Sequence, residues 1–240
     1  MNNKFIGEKS VLDYIKGGLI VSCQARDGWP MYGREIMAAF AMSAETGGAV
    51  GIRASKPENI MEIRKKVNLP IIGINKIWVD GYDVYITPTY QSAVDIIKAG
   101  CDIVAIDATK RIRPYNETLE NLLLELKTNY PDMLLMADIS TIEEGINAER
   151  LGFDLVSTTL AGYTEYTKDI DEMAIDLIHE LSKKVSIPVI AEGRVHTPVE
   201  AFQAIESGAY AVVVGTAITR PEVITKWFNE KIKEASRNNE

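Results

Sequence analysis

The segment PVIAEGRVHTPVEAFQAIESGAYAVVVGTAITRP, residues 188–221, decides the fold because it contains two consecutive strand-turn-helix units. Its opening apolar run ends in an acid, a glycine and a base. Thr197 and Pro198 then have the preferences of a helix N-cap and first turn, and Gly208 is typical of a helix end. The part AVVVGTAITRP repeats the pattern. Two such units in tandem indicate parallel strands joined by crossover helices.

Small residues stand where the chain leaves both of these strands. At Gly193, Gly215 and Thr216, backbone N–H groups can point at an anion. In a barrel of eight strand-helix units, the loops after strands seven and eight often form a phosphate site. The number of units that precede this segment therefore decides whether these turns belong to such a site.

The preceding chain supplies six more units, with a spacing of about 25 to 30 residues per unit. The third unit differs, because the segment IWVDGYDVYITPT inserts a loop and a short extended piece before its helix. No GxGxxG motif of a dinucleotide-binding fold opens the chain. The predicted strands cover residues 19–24, 49–54, 70–76, 102–108, 134–140 and 154–160.

This pattern predicts an α/β fold, a single (β/α)8 TIM barrel of the phosphate-binding type that occupies residues 1–240 as one domain. A short helix at about residues 10–16 precedes the first strand, and an amphipathic helix at residues 222–235 closes the chain. The fourth helix is predicted between about residues 116 and 129. We expect the tail, residues 236–240, to fray.

Composition narrows the class of protein. The 240 residues are 46% hydrophobic, which is enough to fill one large core. Their net charge of −8 disfavours nucleic acid or an anionic membrane as a partner, because both attract basic surfaces. No signal peptide and no apolar stretch of membrane-spanning length is evident, so we expect a cytoplasmic protein. Cys23 and Cys101 lack metal-ligand spacing and are predicted to be buried, reduced thiols. Neither a metal nor another cofactor is predicted.

Polar residues that end the predicted strands are the candidates for a site, because the carboxyl ends of barrel strands share one face. Singly they are weak evidence, since a strand-end residue can also cap the following helix. For Asp107 and Thr159 the two interpretations are about equally favoured. The candidates are Gln24, Arg53, Lys76, Asp107, Asp138, Thr159, Glu192, Arg194, Gly215 and Thr216.

Lys76 and Glu192 form the most informative pair. They follow strands three and seven, which lie opposite each other in a ring of eight, so each would approach the mouth from its own side. Two titratable groups on opposite sides of a carbon suit removal of a proton from one face and its return to the other. Arg53, Arg194 or desolvation would lower the pKa of the lysine. The alternative is a simple salt bridge between Lys76 and Glu192.

Other charged positions leave two interpretations open. Arg220 is either a phosphate clamp or a solvated arginine at a helix start. Lys110, Arg111 and Arg113 lie in one loop, where they attract an anionic substrate or are simply solvated. His196, close to Glu192, is a weaker candidate for the site lining.

Eight segments together resemble the N-acetylmannosamine-6-phosphate 2-epimerase family over residues 17–225. The conjunction is specific, although each motif alone is weak. One departure lies after Lys76: the family usually has an isoleucine before this lysine and a basic-acidic pair soon after it, where this chain reads INKIWVDGYD. The segments are GLIVSCQA, GGAVGIRA, VYITPT, DATKRIRP, ADIS-T, STTLAGYT, AEGRVHTPVEA and VVVGTAITRP.

The resemblance implies an isomerase of sialic acid catabolism that interconverts N-acetylmannosamine 6-phosphate and N-acetylglucosamine 6-phosphate. It implies that Lys76 and Glu192 are the acid/base pair that moves a proton at carbon 2. Residues expected to bind the sugar or orient this pair are Gln24, Arg53, Asp138, Thr159 and Arg194. Residues expected around the phosphate are Gly193, Arg194, Gly215, Thr216 and Arg220.

Two rival functions remain at this point. An aldolase or lyase of the same fold would use Lys76 as a Schiff-base nucleophile, and a sugar-phosphate sensor would bind without turnover. Trp29, Met31 and Tyr32 in the first loop either contact another subunit or close over the substrate. We expect a homo-oligomer, most simply a dimer.

Overall fold

Eight short strands pair side by side in chain order, all parallel, and β8 pairs with β1 to close a barrel. The predicted (β/α)8 barrel is therefore confirmed. The computed structural model describes residues 10–237, with side chains for residues 10–235. The strands are β1 Leu19–Cys23, β2 Gly51–Ser55, β3 Ile71–Ile74, β4 Ile103–Asp107, β5 Leu134–Asp138, β6 Leu155–Ser157, β7 Val189–Glu192 and β8 Ala211–Val214.

Helices separate the strands and surround the barrel. Short 3-10 turns at Pro114–Asn116 and Glu165–Thr167 interrupt two loops. The first of these turns delays the fourth barrel helix, predicted from residue 116, to Leu119. The helices are α1 Val11–Ile15, α2 Arg34–Thr46, α3 Pro57–Arg64, α4 Tyr90–Ala99, α5 Leu119–Asn129, α6 Ile142–Leu151, α7 Ile175–Lys184, α8 Pro198–Glu206, α9 Thr216–Thr219 and α10 Pro221–Arg237.

The start of α8 has the capping predicted for it. Thr197 accepts a hydrogen bond from the backbone N–H of Glu200, whose carboxylate accepts from the N–H of Thr197, and Pro198 occupies the first turn. Gly208 lies just beyond the helix with a φ of 101°, a conformation that favours glycine. This reciprocal cap satisfies the first free N–H groups of the helix.

The barrel interior is filled by branched apolar side chains from alternate strand positions, as expected for strands buried on both faces. Ile20, Ile72 and Ile103 lie in this interior cluster, which Ile15 of α1 joins. A second and larger cluster fills the layer between strands and helices and contains both free cysteines, which are buried. The bottom and the wall of the barrel are thus apolar, and polar side chains collect at its carboxyl end.

The strands end earlier than the apolar runs suggested. Gln24, Lys76 and Thr159 consequently lie one or two residues past β1, β3 and β6, in the loops of the mouth. The tail predicted to fray is described only to Arg237, which still belongs to α10; residues 238–240 lie outside the described chain. Within the described residues, no helix combines the length and apolarity that a membrane crossing requires.

Candidate active site

A buried ion-pair network joins three strands at the mouth. Arg53 of β2 is fully buried and donates from Nη1 to Asp138 Oδ1 at 3.1 Å and from Nη2 to Asp138 Oδ2 at 2.6 Å. The same Nη1 also donates to Glu192 Oε2, at 2.5 Å. Asp138 ends β5 and Glu192 ends β7, so the guanidinium lies between two carboxylates that strand ends bring together.

Thr159 completes this network from the loop after β6. Its hydroxyl lies 2.8 Å from Asp138 Oδ1, 3.1 Å from Glu192 Oε2 and 3.2 Å from Arg53 Nη1. The residue therefore contacts the other members of the network and does not cap the following helix. Every hydrogen bond that the described residues make to the Glu192 side chain is to Oε2, so Oε1 has no hydrogen-bond partner among them.

Burial sets the ionisation of this network. Burial lowers the pKa of Arg53, but the charges of Asp138 and Glu192 outweigh it and raise the pKa above the ordinary value. Burial raises the pKa of Glu192 above its ordinary range, against the nearby positive charge of Arg53. Glu192 is thereby placed closer to the neutral pH range in which a carboxyl group both accepts and returns a proton.

Lys76 reaches the mouth from a hairpin that follows β3. Lys76 pairs with Ile86 in an antiparallel bridge, and the N–H of Ile77 donates to the carbonyl of Tyr85 at 2.9 Å. Gly81, with a φ of 84°, lies in the turned-back segment. This hairpin is the predicted insertion, and it holds the lysine just above the barrel.

The ammonium group of Lys76 has a depressed pKa. Burial, followed by the positive charges of Arg53 and Arg26, lowers the pKa of Lys76 to about 8. Within the described residues no ion pair joins Lys76 to Glu192, whose carboxylate pairs with Arg53 instead. The simple salt bridge considered from the sequence is therefore absent from the described chain, and both groups remain available for proton transfer.

A cavity of about 360 Å³ opens beside Lys76. Gln24 lines it and donates from Nε2 to Ser22 Oγ at 2.8 Å, while its Oε1 is buried without a hydrogen-bond donor in the part of the chain that the structure describes. An unpartnered buried acceptor at a cavity suits a ligand N–H or O–H group. The cavity is lined by Gln24, Ala25, Arg26, Asp27, Trp29, Ser55, Lys56, Lys76 and Trp78.

Arg26 and Trp78 are lining residues that the sequence did not single out. The Arg26 guanidinium lies 5.4 Å from the centre of the Trp78 ring, which stacks on Tyr85 at 5.5 Å. Two loops that are far apart in the sequence thus meet above the cavity. The available signal was a tryptophan two positions after the lysine that ends the third apolar run.

The predicted phosphate residues lie on the β7–β8 side of the mouth. Gly193 and Arg194 have left-handed backbones, with φ of 102° and 55°. Gly215 precedes the four-residue α9, where an added Cβ would lie 3.3 Å from the Cβ of Ser22, so a small residue allows this turn to approach β1. Thr216 begins the same short helix.

The two arginines predicted to bind the phosphate differ in how many of their nitrogen atoms already donate hydrogen bonds. Arg194 donates to the carbonyls of Ala161 and Gly162, at 2.8 and 3.1 Å. Arg220 donates from Nε to Glu222 at 2.8 Å. Arg194 is thus bound to backbone carbonyls, and Arg220 to a neighbouring carboxylate.

Several charged candidates have local structural roles. Asp107 accepts from the N–H and hydroxyl of Thr109 and pairs with Arg111 at 2.6 Å. Arg113 is buried and donates to the carbonyls of Pro88 and Asp107. Arg111 and Arg113 therefore order the loop after β4 and are not freely solvated.

Two further positions lie away from this network. Lys110 lies over the ring of Tyr166, 4.1 Å from its centre. His196 is exposed and packs edge-on against Trp227 at 5.0 Å. Within the described residues, no group of three or more His, Cys, Asp or Glu side chains is arranged to hold a metal ion.

Comparisons with known proteins identify the family. The family described as "Putative N-acetylmannosamine-6-phosphate epimerase" matches residues 37–234. A protein of Caldanaerobacter subterraneus subsp. tengcongensis named "Putative N-acetylmannosamine-6-phosphate 2-epimerase" is 53% identical over 232 residues, 97% of this chain and 98% of that protein. A protein of the same name from Clostridium perfringens strain SM101 is 49% identical over 223 residues, 93% of this chain and all of that protein.

Solved structures agree with this assignment. The N-acetylmannosamine-6-phosphate 2-epimerase from Clostridium perfringens superposes with a TM-score of 0.90 at 47% identity, covering 94% of this chain and 98% of that one. A thiamine phosphate pyrophosphorylase from Pyrococcus furiosus, at 16% identity and a TM-score of 0.60 over 88% of this chain and 90% of that one, shares the fold alone. The chain therefore belongs to the N-acetylmannosamine-6-phosphate epimerase family, and it is an isomerase.

Proposed function

We propose that this enzyme interconverts N-acetylmannosamine 6-phosphate and N-acetylglucosamine 6-phosphate by moving a proton at carbon 2, with Lys76 and Glu192 as the two acid/base groups. The observation that carries the proposal is that Lys76 and Glu192 do not form an ion pair with each other within the described residues. Glu192 is held by Arg53 and Thr159 with Oε1 free, while Lys76 faces the same mouth without an ion-pair partner among the described residues.

The chemistry requires one proton on the pair. One group removes the carbon-2 proton, which is acidic beside the carbonyl of the open-chain sugar, and the electron pair moves onto the carbonyl oxygen as an enolate. The other group then donates its proton to the opposite face of carbon 2, and the electron pair returns to that carbon. Net charge is conserved, and the two directions differ only in which group starts with the proton.

We assign Arg53 and Asp138 to orienting Glu192. Both are fully buried, and their mutual hydrogen bonds use both Nη groups of the arginine. Gln24, with its unpartnered Oε1, is assigned to an N–H or O–H group of the sugar. Thr159 contacts the same carboxylate oxygen as Arg53 and leaves the other oxygen free for the reacting carbon.

The phosphate is assigned to the loops after β7 and β8. Gly193, Gly215 and Thr216 contribute backbone N–H groups at these turns, and Arg220 contributes a guanidinium. Arg194 has both terminal nitrogens on carbonyl oxygens. We therefore assign Arg194 to shaping the loop, and Arg220 to the ion pair with the phosphate.

The pH profile follows from these ionisations. The active form carries one proton on the pair, so the rate falls as pH rises past about 8, where Lys76 loses its proton. The rate also falls on the acid side, because Glu192, whose pKa is raised, becomes protonated while Lys76 is still protonated, and the pair then carries two protons. A bell-shaped profile is expected in both directions.

The second candidate is a Schiff-base aldolase or lyase, because a lysine with a pKa of about 8 is also a competent amine nucleophile. Borohydride in the presence of the sugar phosphate would trap such an intermediate on Lys76. We expect no adduct, and a trapped adduct would favour this rival.

The test is proton NMR of each epimer with the enzyme in deuterated water. We expect conversion with deuterium at carbon 2. Lys76→Met and Glu192→Gln should each slow the conversion by at least about a thousandfold. Each variant should retain carbon-2 exchange in one epimer only, and in opposite epimers, since one base remains. Absence of both conversion and exchange with the intact protein would refute the proposal and favour a sensor.

We further propose that the enzyme acts in sialic acid catabolism and that it is located in the cytoplasm. We also propose that the chain forms one domain over residues 1–240 and that two chains form a homodimer. The family supports the pathway, and the acidic net charge of −8 disfavours a nucleic acid partner. Light scattering measures the subunit number. A monomer at working concentration would contradict the dimer.

A further inference from the structure

Arg220 keeps its terminal nitrogens open to a ligand. Its Nε donates to Glu222 Oε1, and no hydrogen bond within the described part of the chain occupies Nη1 or Nη2. Arg194 differs, because its Nη1 and Nη2 donate to Ala161 and Gly162. Of the two arginines near the β7–β8 turns, Arg220 alone therefore has a free pair of donors for a planar, bidentate contact with an anion.

The open guanidinium of Arg220 rests on an indole from another loop. Its central carbon lies 3.8 Å from the centre of the Trp29 ring, within van der Waals contact. A guanidinium over an indole face is attracted by the ring quadrupole. The ring also restricts the orientation of the guanidinium, while the edge that carries Nη1 and Nη2 remains free to donate.

Trp29 is itself held in place from several directions. Its backbone N–H donates to the backbone carbonyl of Arg26 at 3.1 Å, and its backbone carbonyl accepts from the backbone N–H of Tyr32 at 3.0 Å. The guanidinium of Arg26 also lies over the indole, at 5.5 Å, and over Trp78, at 5.4 Å. The loop after β1 thus supplies an indole that contacts the guanidinium groups of both Arg26 and Arg220.

We propose that Trp29 is a positioning residue that holds Arg220 in the orientation needed for the substrate phosphate. The inference rests on the proposed function, in which Arg220 binds that phosphate. Without the indole, the arginine side chain would be mobile in the free enzyme, and binding of the phosphate would then cost the free energy of restricting its rotation. Glu222 would also compete with the phosphate for the guanidinium. The loss should affect phosphate binding in the ground state and transition state alike, and hence KM more than kcat.

The experiment compares Trp29→Leu, which keeps apolar bulk, with Trp29→Phe, which keeps an aromatic face. Inorganic phosphate serves as a competitive inhibitor that reports on the phosphate site alone. We expect Trp29→Leu to raise the KM of the sugar phosphate and the Ki of phosphate about fivefold to tenfold, with kcat within about twofold. Trp29→Phe should stay within about twofold of the native enzyme in all three constants. Circular dichroism and thermal unfolding verify that both variants fold.

Two controls separate this inference from the proposal on which it rests. Trp227→Leu removes an indole that packs edge-on against His196 and lies outside the cavity lining, and it should leave the Ki of phosphate within about twofold. Arg220→Ala should raise that Ki at least tenfold. An unchanged Ki in Arg220→Ala would refute the phosphate site itself.

If Arg220→Ala weakens phosphate binding but Trp29→Leu does not, the role of Trp29 alone is refuted. Equal effects of the leucine and phenylalanine variants at position 29, or an equal rise in Trp227→Leu, would also overturn it, because the effect would then not depend on the aromatic face beneath Arg220.

Discussion

The two sides of the barrel mouth hold their proton-transfer groups in different ways. Glu192 ends a barrel strand, and its Oε2 accepts from Arg53 at 2.5 Å and from Thr159 at 3.1 Å. Lys76 stands on a hairpin above β3, anchored by its backbone bridge to Ile86. Among the described residues, side-chain hydrogen bonds hold Glu192, whereas hydrogen bonds of the backbone alone hold Lys76.

This difference shows two physical routes to a useful pKa. The pKa of Glu192 rises because burial outweighs its favourable partners, while those partners keep the carboxylate oriented. The pKa of Lys76 falls because burial acts together with the like charges of Arg53 and Arg26. Arg53 contributes to both sides, since it pairs with the acid and repels the base. The following variants test this comparison.

Arg53→Met should break the Glu192 side and have the largest effect. Two buried carboxylates, Asp138 and Glu192, would lose their common counter-charge, so unfolding should become easier by about 3–5 kcal/mol at pH 7. Burial already raises the pKa of Glu192, and loss of the positive charge of Arg53 would raise it further, so the loss should shrink as pH falls toward 5. Activity should fall at least a hundredfold. Denaturant unfolding and steady-state kinetics measure both effects.

The control for this variant is Arg34→Met, which removes an arginine from an exposed ion pair with Glu35. The free energy of unfolding should change little, because an exposed ion pair is screened by water and contributes little to stability. Equal effects of the two substitutions would mean that the buried network contributes no more than a surface pair.

Thr159→Val should loosen the same side without removing a charge. The hydroxyl contacts Asp138 and Glu192, so the variant should lose about 1–3 kcal/mol of stability and about tenfold in kcat. Thr128→Val, at an exposed helix position, is the matched control and should change neither quantity appreciably. A native kcat in Thr159→Val would show that Arg53 alone orients the acid.

Lys76→Met should stabilise the fold while it abolishes activity. The pKa of the lysine falls from 10.5 to about 8 on folding, so its charge opposes folding below pH 8. The half-buried group keeps some contact with water, which reduces the gain to about 1 kcal/mol at pH 7. The gain should vanish as pH rises from about 8 to about 10.5. Thermal melting at pH 7 and pH 10 tests this, and a less stable variant at pH 7 would contradict it.

Arg26→Met should produce the smallest shift. Loss of its charge raises the pKa of Lys76, so the alkaline limb of the pH–rate profile should move upward by roughly half a unit. Lys110→Met, a cation that lies over Tyr166, should leave the limb in place. The pH profile of kcat measures both variants, and a downward shift in Arg26→Met would be inconsistent with repulsion between the two cations.

Much of the architecture was predictable because barrel units repeat a strong local signal. Apolar runs followed by helical periodicity predicted eight strands in the correct order, and Thr197 predicted the start of α8 correctly. The four-residue α9 was missed because so short a helix has no periodicity to detect. The burial of Arg113 was missed as well, because its acceptors are backbone carbonyls that no side-chain pattern reveals.

The sequence by itself determined the barrel, its strand order and the polar residues that end the strands, because periodic burial and turn chemistry are local properties of the chain. Only the tertiary structure decided their partners. Glu192 pairs with Arg53, 139 residues away, and not with Lys76. That choice depends on where strands two, five and seven lie around the ring and on the length of each side chain, which position in the sequence does not encode. The same closure brings Trp29 under Arg220, where an indole from the first loop meets an arginine from the last.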